Sequence, residues 1–223
     1  WRVTLLERAT QPAAGASGLP AGLFVPHWTA DDARSSHLSR AGIRMLIGRA
    51  RELLDPRDWS LTGCVQVLER PAQVSPPDGW GAPANAGERK RAGVPPDAIT
   101  HHHPLAGWVR PRRLVEALLA AAGAEVHYGV EVATIAHDTV TGATLAVDSA
   151  GGAIAAADCV IIAAGAASAR LAGDLASLQP LHGEIAFGRS AAPAEALPVN
   201  GDGHFVPSIG AEHGAPIWLS GSS

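Results

Sequence analysis

Val3-Thr4-Leu5-Leu6 is an unbroken run of apolar and β-branched residues closed by a carboxylate at Glu7. Such a run predicts a strand buried on both faces, as in a parallel sheet. Ala21-Gly22-Leu23-Phe24-Val25 predicts a short extended segment stopped by Pro26. Asp31 and Asp32 stand where a helix cap is needed. Leu38, Met45, Leu46, Ala50, Leu53 and Leu54 then recur on one side and predict a helix that ends before Pro56. Residues 61–69 alternate and predict a strand. Residues 71–100 hold six prolines and the charged patch 88–91, which reads as a loop or mobile lid.

The second half is more regular. Pro111 opens a helix with Leu114, Ala117, Leu118 and Ala121 on one face, and Gly123 closes it. Residues 125–128 read as a strand, Gly129 as a bend and 130–135 as an extended segment. Residues 143–148 and 154–157 predict an antiparallel hairpin around Gly151-Gly152. Cys159-Val160-Ile161-Ile162-Ala163 predicts a second fully buried strand running into Ala164-Gly165. From 181 to 218, short apolar segments between glycines predict a mostly antiparallel sheet.

At 223 residues the chain has length for one large domain or two small ones. A net charge of −4 excludes a broad basic surface and argues against nucleic-acid binding by this chain alone. The cluster Arg110, Arg112 and Arg113 reads as a solvated helix start able to touch a phosphate locally. Cys64 and Cys159 lack CxxC spacing and read as small buried apolar residues. With no signal peptide and no apolar run of about 18 residues, the expected location is the cytoplasm, without membrane contact.

Glu7 carries the main chemical signal. A carboxylate ending a strand is the ribose-binding acid of a dinucleotide fold, about 20 residues beyond the glycine-rich pyrophosphate turn. No such turn precedes it, so the chain reads as an internal piece beginning at the second strand of a βαβ unit. Gly15-Ala16-Ser17-Gly18 follows soon after, and its small residues let backbone amides and a hydroxyl approach phosphate oxygens. Ala164 and Gly165 end a predicted strand at a sheet's carboxyl edge, where ligands bind in open α/β folds. His101-His102-His103 invites a metal, but alternate side chains of an extended segment point apart. A polar loop beside a substrate cavity is the expected role, and no metal site is expected. Trp108, thought to open a helix, and His182, in a glycine-bounded turn, are cavity candidates. His27 is a weaker one.

V-T-L-L-E-R at 3–8, G-A-S-G at 15–18, G-W-V-R-P-R-R-L-V-E-A-L at 107–118 and I-I-A-A-G at 161–165 together resemble the D-amino-acid oxidase and glycine oxidase group of FAD-dependent enzymes. Within that group, the similarity is closest to the flavin-dependent half of bifunctional enzymes that modify the tRNA wobble uridine. That similarity is carried by residues 15–26, L-S-R-A-G at 38–42, G-W-V-R-P at 107–111, P-L-H-G-E at 180–184 and G-D-G-H-F-V-P at 201–207.

The resemblance implies a mixed α/β (α+β) fold: an FAD/NAD(P)-binding Rossmann-like domain interleaved with an antiparallel-sheet substrate domain. Residues 1–56 and 107–178 would form the first, and 57–106 and 179–223 the second. FAD is the implied cofactor. Glu7 would hold the ribose hydroxyls and Arg8 would lie by the adenine. Gly15, Ala16, Ser17, Gly18 and Gly22 would line the pyrophosphate or flavin. Val130 or Val132 would give adenine a main-chain contact, and Ala164 and Gly165 would permit close approach. The implied reaction removes the carboxymethyl group of 5-carboxymethylaminomethyl-2-thiouridine, with tRNA as substrate and a methyltransferase domain as partner. The alternatives are a small-molecule amine or amino-acid oxidase, and a non-catalytic scaffold. A G-x-G-x-x-G turn is expected before residue 1 and a substrate-carboxylate arginine beyond residue 223. No catalytic acid or base is assigned.

Overall fold

The structure, a computed structural model, describes residues 2–70, 76–173, 178–211 and 214–222. Its first strands are β1 (Thr4–Glu7), β2 (Gly22–Phe24), β3 (Trp59–Ser60), β4 (Cys64–Val67) and β5 (Ala82–Pro83). They are followed by β6 (Thr100–His103), β7 (Gly107–Val109), β8 (Glu125–Tyr128), β9 (Thr134–His137), β10 (Thr144–Val147) and β11 (Ala153–Ala157). The last strands are β12 (Ile185–Arg189), β13 (Val199–Asn200), β14 (Gly203–Ile209) and β15 (Ile217–Ser222). The helices are α1 (Arg34–Leu53), α2 (Ala86–Ala92), α3 (Pro111–Ala122) and α4 (Ser168–Ala172). Short 3-10 turns occupy Ala16–Gly18 and Gly165–Ala167.

The chain divides into two compact units, one of residues 1–14 and 122–182, the other of 15–121 and 183–223. Residues 15–56 and 107–121, assigned from sequence to the nucleotide-binding domain, thus cluster with the second unit. From these segments Phe24, Ile43, Ile47 and Val109 share one of that unit's own core clusters, with Leu114 packed against it.

In the first unit, β1 pairs in parallel with β8, from Thr4 opposite Glu125 to Glu7 opposite Tyr128. The ladder continues past the strand ends, because the Val130 amide donates to the Glu7 carbonyl at 3.0 Å. Strands β10 and β11 form the antiparallel hairpin predicted for residues 143–157, and β9 pairs with β10 as a third, antiparallel strand. The Asp148 carboxylate accepts the amides of Ala150 and Gly152 at 2.8 Å each, closing its turn.

The second buried strand expected at 159–163 is not formed. Among the described residues nothing ladders with it, Cys159 is exposed, and Ile161 is 86% exposed. Apolar sequence makes a strand only where a neighbour takes its backbone groups.

The second unit is built on a seven-stranded sheet in the order β12-β15-β14-β13-β4-β6-β5. Its pairings are antiparallel except β13 with β4, in keeping with the glycine-punctuated pattern of its last third. A smaller sheet, β2-β7-β3, lies in the same unit. Phe24, Ile43, Ile47, Trp80 and Val109 form one core cluster, and Ala21, Trp108, Val206, Ile209 and Leu219 another.

Helix α1 departs from the predicted face. Its buried stripe is Ser36, Arg40, Ile43, Ile47 and Ala50, while Leu38 and Met45 are 73% and 71% exposed. Two polar residues lie inside because each has a partner. The Ser36 hydroxyl is 3.1 Å from that of Thr29, and Arg40 is 2.8 Å from Asp32 and 6.0 Å from the Trp80 ring centroid. Asp31 and Asp32 do not cap the helix. Ala33 is the capping residue, without a side-chain bond, and Asp32 pairs with His37 and Arg40 instead.

The proline-rich segment is likewise more ordered than expected over its described part, with 71–75 outside it. Asn85 accepts the Glu88 amide and the Glu88 carboxylate accepts the Asn85 amide, a capping box that starts α2. Gly93 ends it in the left-handed conformation at φ 66°.

Candidate cofactor-binding site

In the first unit, Glu7 is half-buried at the carboxyl end of β1, and its Oε1 accepts the Ala9 amide at 2.7 Å. A carboxylate has about four acceptor positions, so this bond fixes the side chain and leaves capacity for ribose hydroxyls. Arg8, just past the end of β1, is exposed. The link from β8 to β9 carries Val130, bonded to Glu7 through its amide, and Val132, whose carbonyl accepts from Arg170 of α4 at 3.3 Å. Ala164 and Gly165 are exposed where the second 3-10 turn begins, and Gly165 adopts φ 56°. Glu7, Val130 and Val132 are thus brought into one stretch of structure.

In the second unit, Gly15, Ala16, Ser17 and Gly18 form a turn closed by the Gly18 amide on the Gly15 carbonyl at 2.9 Å. A β-carbon built on Gly15 meets nothing within 4 Å, so packing inside the protein does not demand glycine there. The turn's outer side is open to a ligand. Gly22 sits in β2 opposite Val109.

Gly18, Leu19 and Pro20 wall a cavity of about 620 Å³ whose other walls include Arg110, Arg112 and Phe187. Arg110 is buried, unlike the solvated arginine read from the sequence. Its guanidinium donates to the carbonyls of Pro20, at 3.4 Å, and Gly210, and lies 3.3 Å from an Asp58 carboxylate oxygen. The sequence gives no sign of this beyond an arginine placed before a helix-opening proline.

The other cavity candidates separate. Trp108 does not open a helix; it is buried in β7 against Val206, Ile209 and Leu219, a core position. His182 is exposed, outside any helix or strand. His27 is exposed, its amide bonded to the Ser39 hydroxyl at 2.9 Å.

The three histidines are not a polar loop. They lie in β6 and their side chains alternate. His102 reaches Glu88 at 2.9 Å on one side, while His101 and His103 turn to the other, with ring centroids 6.5 Å apart. His103 is fully buried between the Trp80 carbonyl at 2.7 Å and the Gln66 amide oxygen at 2.8 Å. Burial pushes its pKa below the ordinary value, and the Trp80 carbonyl opposes this only in part. His101 is lowered by burial as well, against the Trp28 ring.

Each taken within its own unit, an acid held at the end of a parallel strand suits a ribose and an open glycine turn suits a phosphate. The comparison with known families identifies the cofactor. A family model described as FAD dependent oxidoreductase matches residues 1–213. The chain belongs to that family.

Among the similar proteins are two named tRNA 5-methylaminomethyl-2-thiouridine biosynthesis bifunctional protein MnmC. The one from Verminephrobacter eiseniae is 40% identical, over 100% of this chain and 39% of its own length. The one from Polaromonas naphthalenivorans is 38% identical, over 100% of this chain and 38% of its own. This FAD-dependent oxidoreductase chain therefore spans about two fifths of the length of those relatives.

Among solved structures, glycine oxidase from Geobacillus kaustophilus superposes with a TM-score of 0.74 at 21% identity, covering 100% of this chain and 64% of that one. Iminodiacetate oxidase from Chelativorans gives 0.68 at 20% identity, covering 99% and 71%. These likenesses bear on the fold, the mixed α/β fold of FAD-dependent oxidases. FAD is the family's cofactor, and the acceptor positions left on Glu7 suit the ribose hydroxyls of such a group.

Proposed function

We propose that this chain is the flavin-dependent part of an enzyme that removes the carboxymethyl group of 5-carboxymethylaminomethyl-2-thiouridine at the tRNA wobble position. The observation that carries the reading is the likeness over the whole chain to proteins of that biosynthetic step, joined to Glu7 and the open Gly15–Gly18 turn. In this reading residues 1–56 and 107–178 serve the cofactor and 57–106 and 179–223 the substrate. A methyltransferase domain completes the protein.

Glu7 orients the adenosine end through its ribose hydroxyls, with Arg8 and the Val132 amide beside the adenine. Gly15, Ala16, Ser17, Gly18 and Gly22 admit the pyrophosphate and flavin to backbone distance, as do Ala164 and Gly165. When bound, FAD supplies the two-electron acceptor. That acceptor would take the hydride given up by the substrate's N–CH2–COO⁻ carbon as the nitrogen loses a proton, leaving an imine. Water adds to that imine and releases glyoxylate and the aminomethyl uridine. The protein's task is to hold the carboxylate, keep the amine neutral and aim the C–H bond.

A small free amine is the second reading, favoured by the net charge of −4. Anaerobic titration of the FAD-loaded protein separates the two. Flavin bleaching by tRNA bearing the carboxymethylaminomethyl group, with glyoxylate formed in equal amount, is expected. Bleaching by glycine or sarcosine and not by that tRNA would overturn the first reading. Glu7→Gln should weaken FAD binding about tenfold, the loss of one charge-assisted bond.

A further inference from the structure

We infer that Arg110 is a positioning residue for the glycine turn, clamping its exit at Pro20 to Gly210 and Asp58 and so fixing the backbone that faces the cofactor. The inference rests on the reading of residues 15–18 as a cofactor contact, and it concerns the second unit alone.

Arg110 directly precedes the helix-opening Pro111, and its amide donates to the Asp58 carbonyl at 2.7 Å. That bond ties its backbone to the link between α1 and β3. The side chain then crosses to two loops far apart in sequence. One is Pro20, two residues beyond the turn, and the other is Gly210, just past β14. The Asp58 carboxylate lies beside the guanidinium at 3.3 Å and balances its charge. The Trp108 ring centroid lies 6.0 Å from its Cζ.

A guanidinium suits this place for a stated reason. Its planar fork directs several N–H bonds along fixed directions, so one side chain sets the separation of two carbonyls. Lysine carries a point charge and cannot hold both with the same geometry. The turn itself is closed by one backbone bond, Gly18 to Gly15, and its residues are small. A β-carbon on Gly15 would meet nothing within 4 Å, so no neighbour crowds that side of the turn. Arg110 holds the C-terminal flank of the turn through the Pro20 carbonyl.

The test uses the FAD-loaded protein and its Arg110→Met and Arg110→Lys variants, with Val65→Ala as a stability control. Val65 is buried in β4, in a cluster with Ala84 and Leu197. FAD affinity is read by flavin fluorescence, the flavin environment by its visible absorbance, and stability by thermal melting. Arg110→Met is expected to raise the FAD Kd about tenfold and to blur the vibrational shoulder of the bound spectrum. Arg110→Lys should recover part of both, while Val65→Ala lowers Tm and leaves FAD binding unchanged.

An unchanged FAD Kd in Arg110→Met would overturn the inference, as would an equal loss in Val65→Ala. If Arg110→Met does not fold, Arg110→Lys carries the test, with a weakened Kd expected and a native one overturning it. No substrate enters these measurements. An error in the substrate reading would therefore show only in the titration with tRNA and free amines.

Discussion

Glu88 Oε1 lies 2.9 Å from His102 Nδ1 while Glu88 Oε2 accepts the Asn85 amide at 2.8 Å, so one carboxylate joins the start of α2 to the middle of β6. Both side chains are about four-fifths buried, which sets the pair apart from a solvent-screened surface bridge. His102 in turn limits its other neighbour. A β-carbon on Gly63, which adopts φ 78°, would come within 2.5 Å of His102 Nε2.

Glu88→Ala should cost about 1–2 kcal/mol, the sum of a lost helix cap and a partly buried charged contact. Glu88→Gln keeps an acceptor for the Asn85 amide and should cost less. Urea unfolding of both variants, with His102→Ala and the Glu88→Ala/His102→Ala double variant, measures the coupling. Full additivity of the two single changes would show that the pair contributes nothing.

Stability should fall on acidification through the buried histidines. His103 has a folded pKa lowered from 6.5, chiefly by burial. The unfolded chain therefore takes up its proton first, and protonation favours unfolding. This contribution is complete above the unfolded value of 6.5 and is lost as pH falls from there toward the folded pKa. His101 shifts the same way. Urea midpoints measured across this window should decline, and His103→Gln should flatten the decline. A slope identical to that of the parent would remove His103 as its source.

The two cysteines should react differently. Cys64 is fully buried, and burial pushes its thiol up to about 12, whereas Cys159 is exposed. A thiol reagent at neutral pH should modify Cys159 in the native protein and reach Cys64 only in denaturant. Fast modification of both in the native state would contradict the packing around β4.

Gly107→Ala should destabilise the small sheet. A methyl group there collides with the Ser60 carbonyl oxygen across the β3–β7 pairing and with the Phe24 ring. The obstacle includes backbone, so relief requires strand movement, and a loss of about 1–3 kcal/mol is expected. A melting temperature equal to the parent's would show that the strands separate freely.

Helix α3 was legible because its signals are local: a proline to open it, a glycine at φ 58° to follow it and apolar spacing between. The hairpin of β10 and β11 was legible for the same reason. The start of α2 carried a readable sign, Asn85 followed three positions later by Glu88, hidden among prolines that suggested a loop. The buried side of α1 carried none. Ser36 and Arg40 lie inside because Thr29, Asp32 and Trp80 meet them there, and those partners are a matter of folding.

By itself the sequence determined what short-range chemistry can encode: an acid closing the first strand, a turn of small residues, helix boundaries and the period of the late sheet. These follow from backbone preferences and from side chains a few positions apart. Tertiary structure alone decided that residues 159–163 lack a strand partner among the described residues, that Trp108 belongs to a core, and that Arg110 spans from Pro20 to Gly210. Burial of a charge or an apolar run depends on which distant atoms arrive to satisfy or cover it, and a linear pattern does not contain that distance.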